Sequence, residues 1–400
     1  MLYFTTNAGA AKYRIVAVDP TERRLRWRLV VPEADDPISG ASIVGKRLVV
    51  EYLRDAASHA VLFDLLGKPV GAIEMAGLGT ASGFRGAPGN PESFYSYTSF
   101  NRPPSIYRLN IETGETAPFA QPALNFDPDA YVVEQKFYPS KDGTRVPIFI
   151  VRKKALADSN TPAPTLLFGY GGFNRSLTPE FRPDRMAWLE AGGVFALANL
   201  RGGGEYGKAW HDAGRRQNKQ NVFDDFIAAG EFLKTNRYAT PDGLAIQGGS
   251  NGGLLVAAVT NQRPDLFSAV LARVGVMDML RFDRFTAGRY WVDEFGSPER
   301  EDDFQVLRAY SPYHNIRSGA EYPAVLVTTA DTDDRVVPAH SFKYAAALQA
   351  AKLGRKPKLI RIETRAGHGS GKPTDKAIAE SADALAFLAQ FTGLDPVQEK

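Results

Sequence analysis

Cysteine is absent from all 400 residues, so the chain has no disulfide staples, no thiolate metal site and no cysteine nucleophile. Histidine is scarce, with five in all: His59, His211, His314, His340 and His368. An excess of charge is also missing. Lys and Arg number 48 against 45 Asp and Glu, a net charge of +3, which leaves no electrostatic footprint for nucleic acid or an anionic membrane. No apolar run approaches the roughly 20 residues of a membrane-spanning helix. Residues 1–7 lack the basic and apolar regions of a signal peptide, and the expectation is a cytoplasmic protein.

What is present fits a soluble globular chain, 44% apolar and 23% charged, and its length favours two domains. Up to about residue 125 it reads as strands and turns. Ile15-Val16-Ala17-Val18-Asp19, Val61-Leu62-Phe63-Asp64 and Ile106-Tyr107-Arg108-Leu109-Asn110 resemble one another, and Asp19, Asp64 and Asn110 lie 45 and 46 residues apart. A repeat of that length built from short strands predicts β-propeller blades. Propellers close with about four to eight blades, whereas residues 1–128 have room for two to three. The expectation is therefore a partial propeller cut from something longer, with open strand edges that invite self-association. The stretch Arg23-Arg24-Leu25-Arg26-Trp27-Arg28-Leu29 alternates as a half-buried strand with one solvated face would.

The texture changes at residues 121–128, and residues 129–400 read as a second domain. Thr165-Leu166-Leu167-Phe168, Gly193-Val194-Phe195-Ala196-Leu197-Ala198, Leu244-Ala245-Ile246 and Ala324-Val325-Leu326-Val327 read as buried parallel strands. Helical patterns, such as 224–233 and 342–352, fall between them. This alternation predicts a doubly wound α/β fold.

One strand runs into Gly248-Gly249-Ser250-Asn251-Gly252-Gly253 and then an apolar helix. G-x-S-x-G between strand and helix is a nucleophile elbow: the tight turn lifts the Ser250 Oγ and aims the Asn251 N–H at a carbonyl under attack. The fold's chain order of serine, acid, histidine leaves few bases. His59 and His211 precede the serine, and His314 precedes any acid after the 324–327 strand. His340 sits at the start of an apparent helix, where a surface or capping role is the plainer reading. His368, in Ala366-Gly367-His368-Gly369 after the strand Leu359-Ile360-Arg361-Ile362, is the candidate base. The acid belongs to Asp331-Thr332-Asp333-Asp334-Arg335, and spacing does not choose among the three aspartates. Gly202-Gly203-Gly204-Glu205-Tyr206-Gly207 lacks the lysine of a phosphate loop, and no metal constellation is visible, so no cofactor is expected.

These stretches, with Tyr170-Gly171-Gly172-Phe173-Asn174, residues 199–207 and Asp333-Asp334-Arg335-Val336-Val337-Pro338, resemble the prolyl oligopeptidase family of serine peptidases in order over residues 130–395. The resemblance implies an α/β-hydrolase domain preceded by the final blades of a propeller. It implies Asp333 as the acid beside Ser250 and His368, and the Tyr170 hydroxyl as a second oxyanion donor beside the Asn251 N–H. Trp291 would stack on a substrate proline; Val276, Phe295 and Val336 would form the apolar walls, and Phe173 the next subsite. Arg335 would bind the carbonyl upstream of the proline, unless it merely pairs with its aspartate neighbours. The implied activity is cleavage of proline-containing peptides on the carboxyl side of proline. Rival readings are a dipeptidyl or acylaminoacyl peptidase or esterase on the same fold, for which no acidic pair to hold an amino end is visible, and an inactive truncated fragment.

Overall fold

The computed structural model describes residues 1–87, 89–369 and 371–395. The contacts divide them into two compact units. The first holds residues 1–129 together with 176–182 and 204–211, and the second holds the rest. No helix among the described residues is long and apolar enough to cross a membrane.

The first unit is built from three antiparallel meanders: β1 (Leu2–Thr6), β2 (Arg14–Val18) and β3 (Arg28–Val31); β4 (Ile38–Val44), β5 (Arg47–Arg54), β6 (Ala57–Asp64) and β7 (Pro69–Ile73); then β8 (Thr80–Arg85), β9 (Glu92–Ser99), β10 (Arg102–Asn110) and β11 (Thr116–Ala120). The repeat in the sequence has a physical origin. Asp19 accepts from the Thr21 N–H, Asp64 from those of Leu66 and Lys68, and Asn110 from that of Glu112, each at 2.9 Å. One Asx side chain thus closes the turn after β2, β6 and β10. Apolar layers fill the spaces between sheets, with Ile15, Leu48, Val50 and Phe63 in one layer and Val49, Leu62, Phe84, Tyr95 and Leu109 in the other.

The alternation at 23–29 does not form one strand. β3 begins only at Arg28, and Leu25, Trp27 and Leu29 are all exposed. Neither face of that stretch is covered, so alternation there marks no inside; Trp27 packs edge-on against Phe4 instead, with ring centroids 5.3 Å apart.

The second unit is an eight-stranded sheet of β12 (Tyr131–Pro139), β13 (Arg145–Lys153), β14 (Ala163–Phe168), β15 (Val194–Ala198), β16 (Ala239–Gly249), β17 (Ala269–Arg273), β18 (Ala324–Ala330) and β19 (Lys358–Glu363), in the order β12-β13-β15-β14-β16-β17-β18-β19. β12 pairs with β13 and β13 with β15 antiparallel; every later pair is parallel. Every residue of β15 and β18 is buried, as strands covered on both faces by helices must be. The helix Asn251–Gln262 is buried along nearly its whole length, whereas Gln220–Thr235 buries one stripe, Val222, Phe223, Phe226, Ala229 and Leu233, at helical spacing. Arg201, beyond β15, fastens to this helix: its guanidinium meets the buried Asp225 carboxylate at 2.6 Å and Asp142 at 2.5 Å, and the two acids hold it charged.

Candidate active site

The site lies at the carboxyl ends of β14, β16 and β18. Ser250 ends β16 with φ 58° and ψ −117°, a conformation that costs a non-glycine residue about 1–3 kcal/mol and persists only where its surroundings enforce it. They do so here. The Ser250 N–H donates to the Arg273 carbonyl at 2.9 Å, and the Ser250 carbonyl accepts from Gly253 and Leu254 at 2.9 and 3.1 Å. The glycines around it are not equivalent. A Cβ on Gly248 would lie 2.1 Å from the Gly252 oxygen, one on Gly252 2.7 Å from the Gly169 oxygen, and one on Gly253 2.6 Å from the Arg273 oxygen; a Cβ on Gly249 would meet nothing closer than 3.8 Å.

Asn251 opens the helix, so its backbone N–H is one of the first-turn donors that a helix leaves free. Its side chain, 1% exposed, donates through Nδ2 to the Tyr170 carbonyl at 2.5 Å. Tyr170 is half-buried, and burial raises its phenol pKa, so the hydroxyl keeps its proton as a donor. The loop that follows is left-handed at three positions: Gly171 takes φ 62° freely, whereas Phe173 and Asn174, at 58° and 53°, do so against the preference of a side chain.

Beyond β18, the Asp333 carboxylate takes the N–H groups of Arg335 and Val336 on Oδ1 at 3.0 and 2.9 Å, and Nδ1 of His368 on Oδ2 at 2.6 Å. Of the three crowded aspartates, this one faces the imidazole; Asp331 and Asp334 are exposed. The acid and histidine loops are stitched together by Thr332, whose N–H and hydroxyl both donate to the Ala366 carbonyl, at 3.2 and 2.7 Å.

The expected pocket residues divide by exposure. Phe173 is 37% exposed, and its ring packs edge-on against Trp291 and Phe295, with centroids 6.4 and 5.5 Å away. Trp291 is half-buried. Phe295, Val276 and Val336 are 1–2% exposed, so they back the wall and present almost no surface to a ligand. The Arg335 side chain is exposed, and it pairs with no carboxylate among the described residues. His340 corrects an expectation: it is buried, not on the surface. Its Nδ1 accepts the Asp278 N–H at 3.1 Å, its ring meets Phe285 edge-on at 5.0 Å, and burial pushes its pKa down to about 4.

Two residues that the sequence does not single out complete the arrangement. Lys219, 1% exposed, donates from Nζ to the Gly171 carbonyl at 2.8 Å and to Asn251 Oδ1 at 3.2 Å. Its ammonium stands 4.0 Å from Glu294, itself buried, whose Oε1 takes the Phe173 N–H at 2.9 Å. In the polar run Arg215-Arg216-Gln217-Asn218-Lys219-Gln220 nothing marks this lysine, because every group that distinguishes it lies more than 30 residues away. Among the described residues no three His, Asp or Glu side chains are grouped as metal ligands.

A strained serine at a strand-to-helix turn, an Asp–His pair and two candidate oxyanion donors are a constellation for acyl transfer. The chain matches the prolyl oligopeptidase family over residues 179–395 and that family's N-terminal β-propeller domain over residues 1–122. It is 45% identical to a prolyl endopeptidase of Elizabethkingia miricola over 98% of this chain and 56% of that one, and 39% identical to a prolyl endopeptidase of Dictyostelium discoideum over 97% and 53%. Its fold is similar to a structure from a study of two prolyl endopeptidases (TM-score 0.87, 58% identity, 100% of this chain and 57% of that one). It is also similar to prolyl oligopeptidase B of Galerina marginata bound to a 35-residue substrate (TM-score 0.93, 37% identity, 98% and 56%). The chain spans about half the length of the curated relatives it matches.

Proposed function

This chain belongs to the prolyl oligopeptidase family, and from that premise we propose that it is a serine peptidase cleaving short peptides on the carboxyl side of proline through an acyl-enzyme on Ser250. The observation that carries the reading is the Ser250 elbow at φ 58° in a chain whose Asp333 and His368 are paired at 2.6 Å. Asp333 holds the His368 Nδ1–H, which leaves Nε2 free to take the Ser250 proton as Oγ attacks the carbonyl carbon. The oxyanion accepts from the Asn251 N–H and the Tyr170 hydroxyl. The proton passes from His368 to the leaving amine, and a water activated by the same imidazole releases the acid product. Trp291 stacks on the substrate proline, with Phe173 at the next residue and Phe295, Val276 and Val336 stiffening the wall behind. Arg335, free of a carboxylate partner among the described residues, is available to the upstream carbonyl. Solved structures of the Galerina marginata enzyme with its substrates carry alanine in place of a serine, an aspartate or a histidine, which supports the same three roles here.

The cytoplasm is the compartment this reading carries with it. The exposed Leu2, Phe4 and Leu29 of the first sheet, with Trp27 just before β3, support self-association of the chain when expressed alone.

The test pairs two measurements on residues 1–400. A fluorophosphonate probe labels Ser250, and Ser250→Ala abolishes labelling and lowers kcat by about 10⁶. Blocked peptides with an internal proline are cut after it, and faster than leucine counterparts. Labelling that survives the substitution refutes the nucleophile; equal rates on proline and leucine peptides refute the specificity.

A further inference from the structure

A lysine whose charged end is fully enclosed is a costly element, since an apolar side chain of similar volume usually serves stability as well or better. Lys219 is such a residue, and its three polar neighbours share a destination. Its Nζ ties the Gly171 carbonyl, one peptide beyond Tyr170, to the side chain of Asn251; Asn251 in turn holds the Tyr170 carbonyl; and Glu294, the nearest acid to the ammonium, takes the Phe173 N–H. Between the two ends of this clamp lie Gly171 and Gly172, where there is no room for compensation: a Cβ on Gly171 would sit 2.3 Å from Val222, and one on Gly172 2.7 Å from the Asn251 amide.

We propose that Lys219, paired with Glu294, is a positioning residue for the oxyanion site, holding the Tyr170 hydroxyl and the Asn251 N–H at one fixed separation. The inference rests on the acyl-transfer reading above and adds to it the device that keeps the two donors together. Neither residue touches substrate. Lys219 acts through the Gly171 carbonyl and the Asn251 side chain, Glu294 through the Phe173 amide, and the left-handed backbone at Phe173 and Asn174 is held between them. Because the clamp depends on an ammonium, it is sensitive to alkali. Burial lowers the Lys219 pKa to about 8, with Glu294 acting in the opposite direction. Glu294 acts on Tyr310, as Asp303 does, and across the loop it acts on Tyr170, where Arg175 and Arg335 oppose it. Removing the Glu294 charge therefore moves the Lys219 transition to lower pH.

The test uses residues 1–400, and hydrolysis of a p-nitrophenyl ester, which needs the serine and the oxyanion donors but no proline. Lys219→Met lowers kcat about 10- to 100-fold with KM nearly unchanged, the size expected when donors are displaced by a fraction of an ångström. It also weakens binding of a peptide aldehyde, which forms the tetrahedral adduct, by a similar factor, while the matching peptide alcohol binds as before. In the parent chain kcat is expected to fall with a midpoint near pH 8, and this limb shifts downward in Glu294→Gln and is absent in Lys219→Met. A Lys219→Met protein within twofold of the parent in kcat and in aldehyde affinity overturns the proposal. Where Lys219→Met does not fold, the Glu294→Gln profile decides, and an unmoved alkaline limb overturns it. A parent chain that hydrolyses the ester but not proline peptides overturns the specificity reading and leaves this one standing; a chain that hydrolyses neither overturns both.

Discussion

Oδ1 of Asp333 is already occupied by two backbone N–H groups, those of Arg335 and Val336, when Oδ2 meets the imidazole of His368 at 2.6 Å. The carboxylate is therefore oriented by its own loop, independently of the histidine. In Asp333→Asn those two N–H groups claim the amide oxygen, which turns the NH₂ toward Nδ1 of His368. Nδ1 must then accept, the imidazole proton moves to Nε2, and the base can no longer take the Ser250 proton. The expected loss is about 10⁴ in kcat, with the melting temperature little changed. Asp331→Asn and Asp334→Asn stay within a few-fold of the parent; equal losses at all three positions would show that the loop's charge matters and not this bond.

The elbow glycines predict an asymmetry. A methyl group on Gly252 meets a backbone oxygen at 2.7 Å, whereas one on Gly249 meets nothing inside 3.8 Å. Gly252→Ala is expected to cost about 1–3 kcal/mol in urea unfolding, as overpacking does, and to slow fluorophosphonate labelling. Gly249→Ala is expected to remain within about 0.5 kcal/mol, the range of substitutions that touch none of the usual destabilising mechanisms. Comparable costs at both positions would refute the asymmetry.

His340 gives the fold an acid-sensitive point, on which Asp333 itself acts electrostatically. Its Nδ1 accepts the Asp278 N–H, and its buried Nε2 has no partner among the described residues, so the neutral ring fits and the charged one does not. With a folded pKa of about 4 against an unfolded value of about 6.5, the unfolded state binds the extra proton between those limits. Stability therefore falls as pH drops from about 6.5 to about 4, by roughly 3 kcal/mol from this one group. Urea titrations across that range should show the fall in the parent and a smaller one in His340→Gln. Parallel curves would remove His340 from the account.

What the sequence makes legible is what short stretches decide. The elbow is readable because strand, Gly-x-Ser-x-Gly and helix are contiguous, and the blades because an Asx residue closes the same turn three times. Arg23-Arg24-Leu25-Arg26-Trp27 misleads because alternation marks a strand only where one face is covered, and there neither face is. β12 and β13 form a hairpin outside the alternation of strands and helices that announces the rest of the sheet. The burial of His340 depends on Asp278 and Phe285, and that of Lys219 on Gly171, Asn251 and Glu294. Such environments assemble only when distant segments meet, and no local pattern encodes them.

The Asx-closed turns also separate the two units in time. Leu62 faces Gly71, nine residues on, across the turn that Asp64 closes; Leu166 faces Ala245, 79 residues on, in the parallel pair beside the elbow. Closing the first loop is a local event and closing the second is not, and topologies dominated by such distant pairings fold slowly. The meanders are therefore expected to pair before the larger sheet does. The strand carrying the serine waits for most of the polypeptide to find its place. In that interval the apolar strands of the larger sheet are expected to be unprotected, the condition in which refolding competes with aggregation.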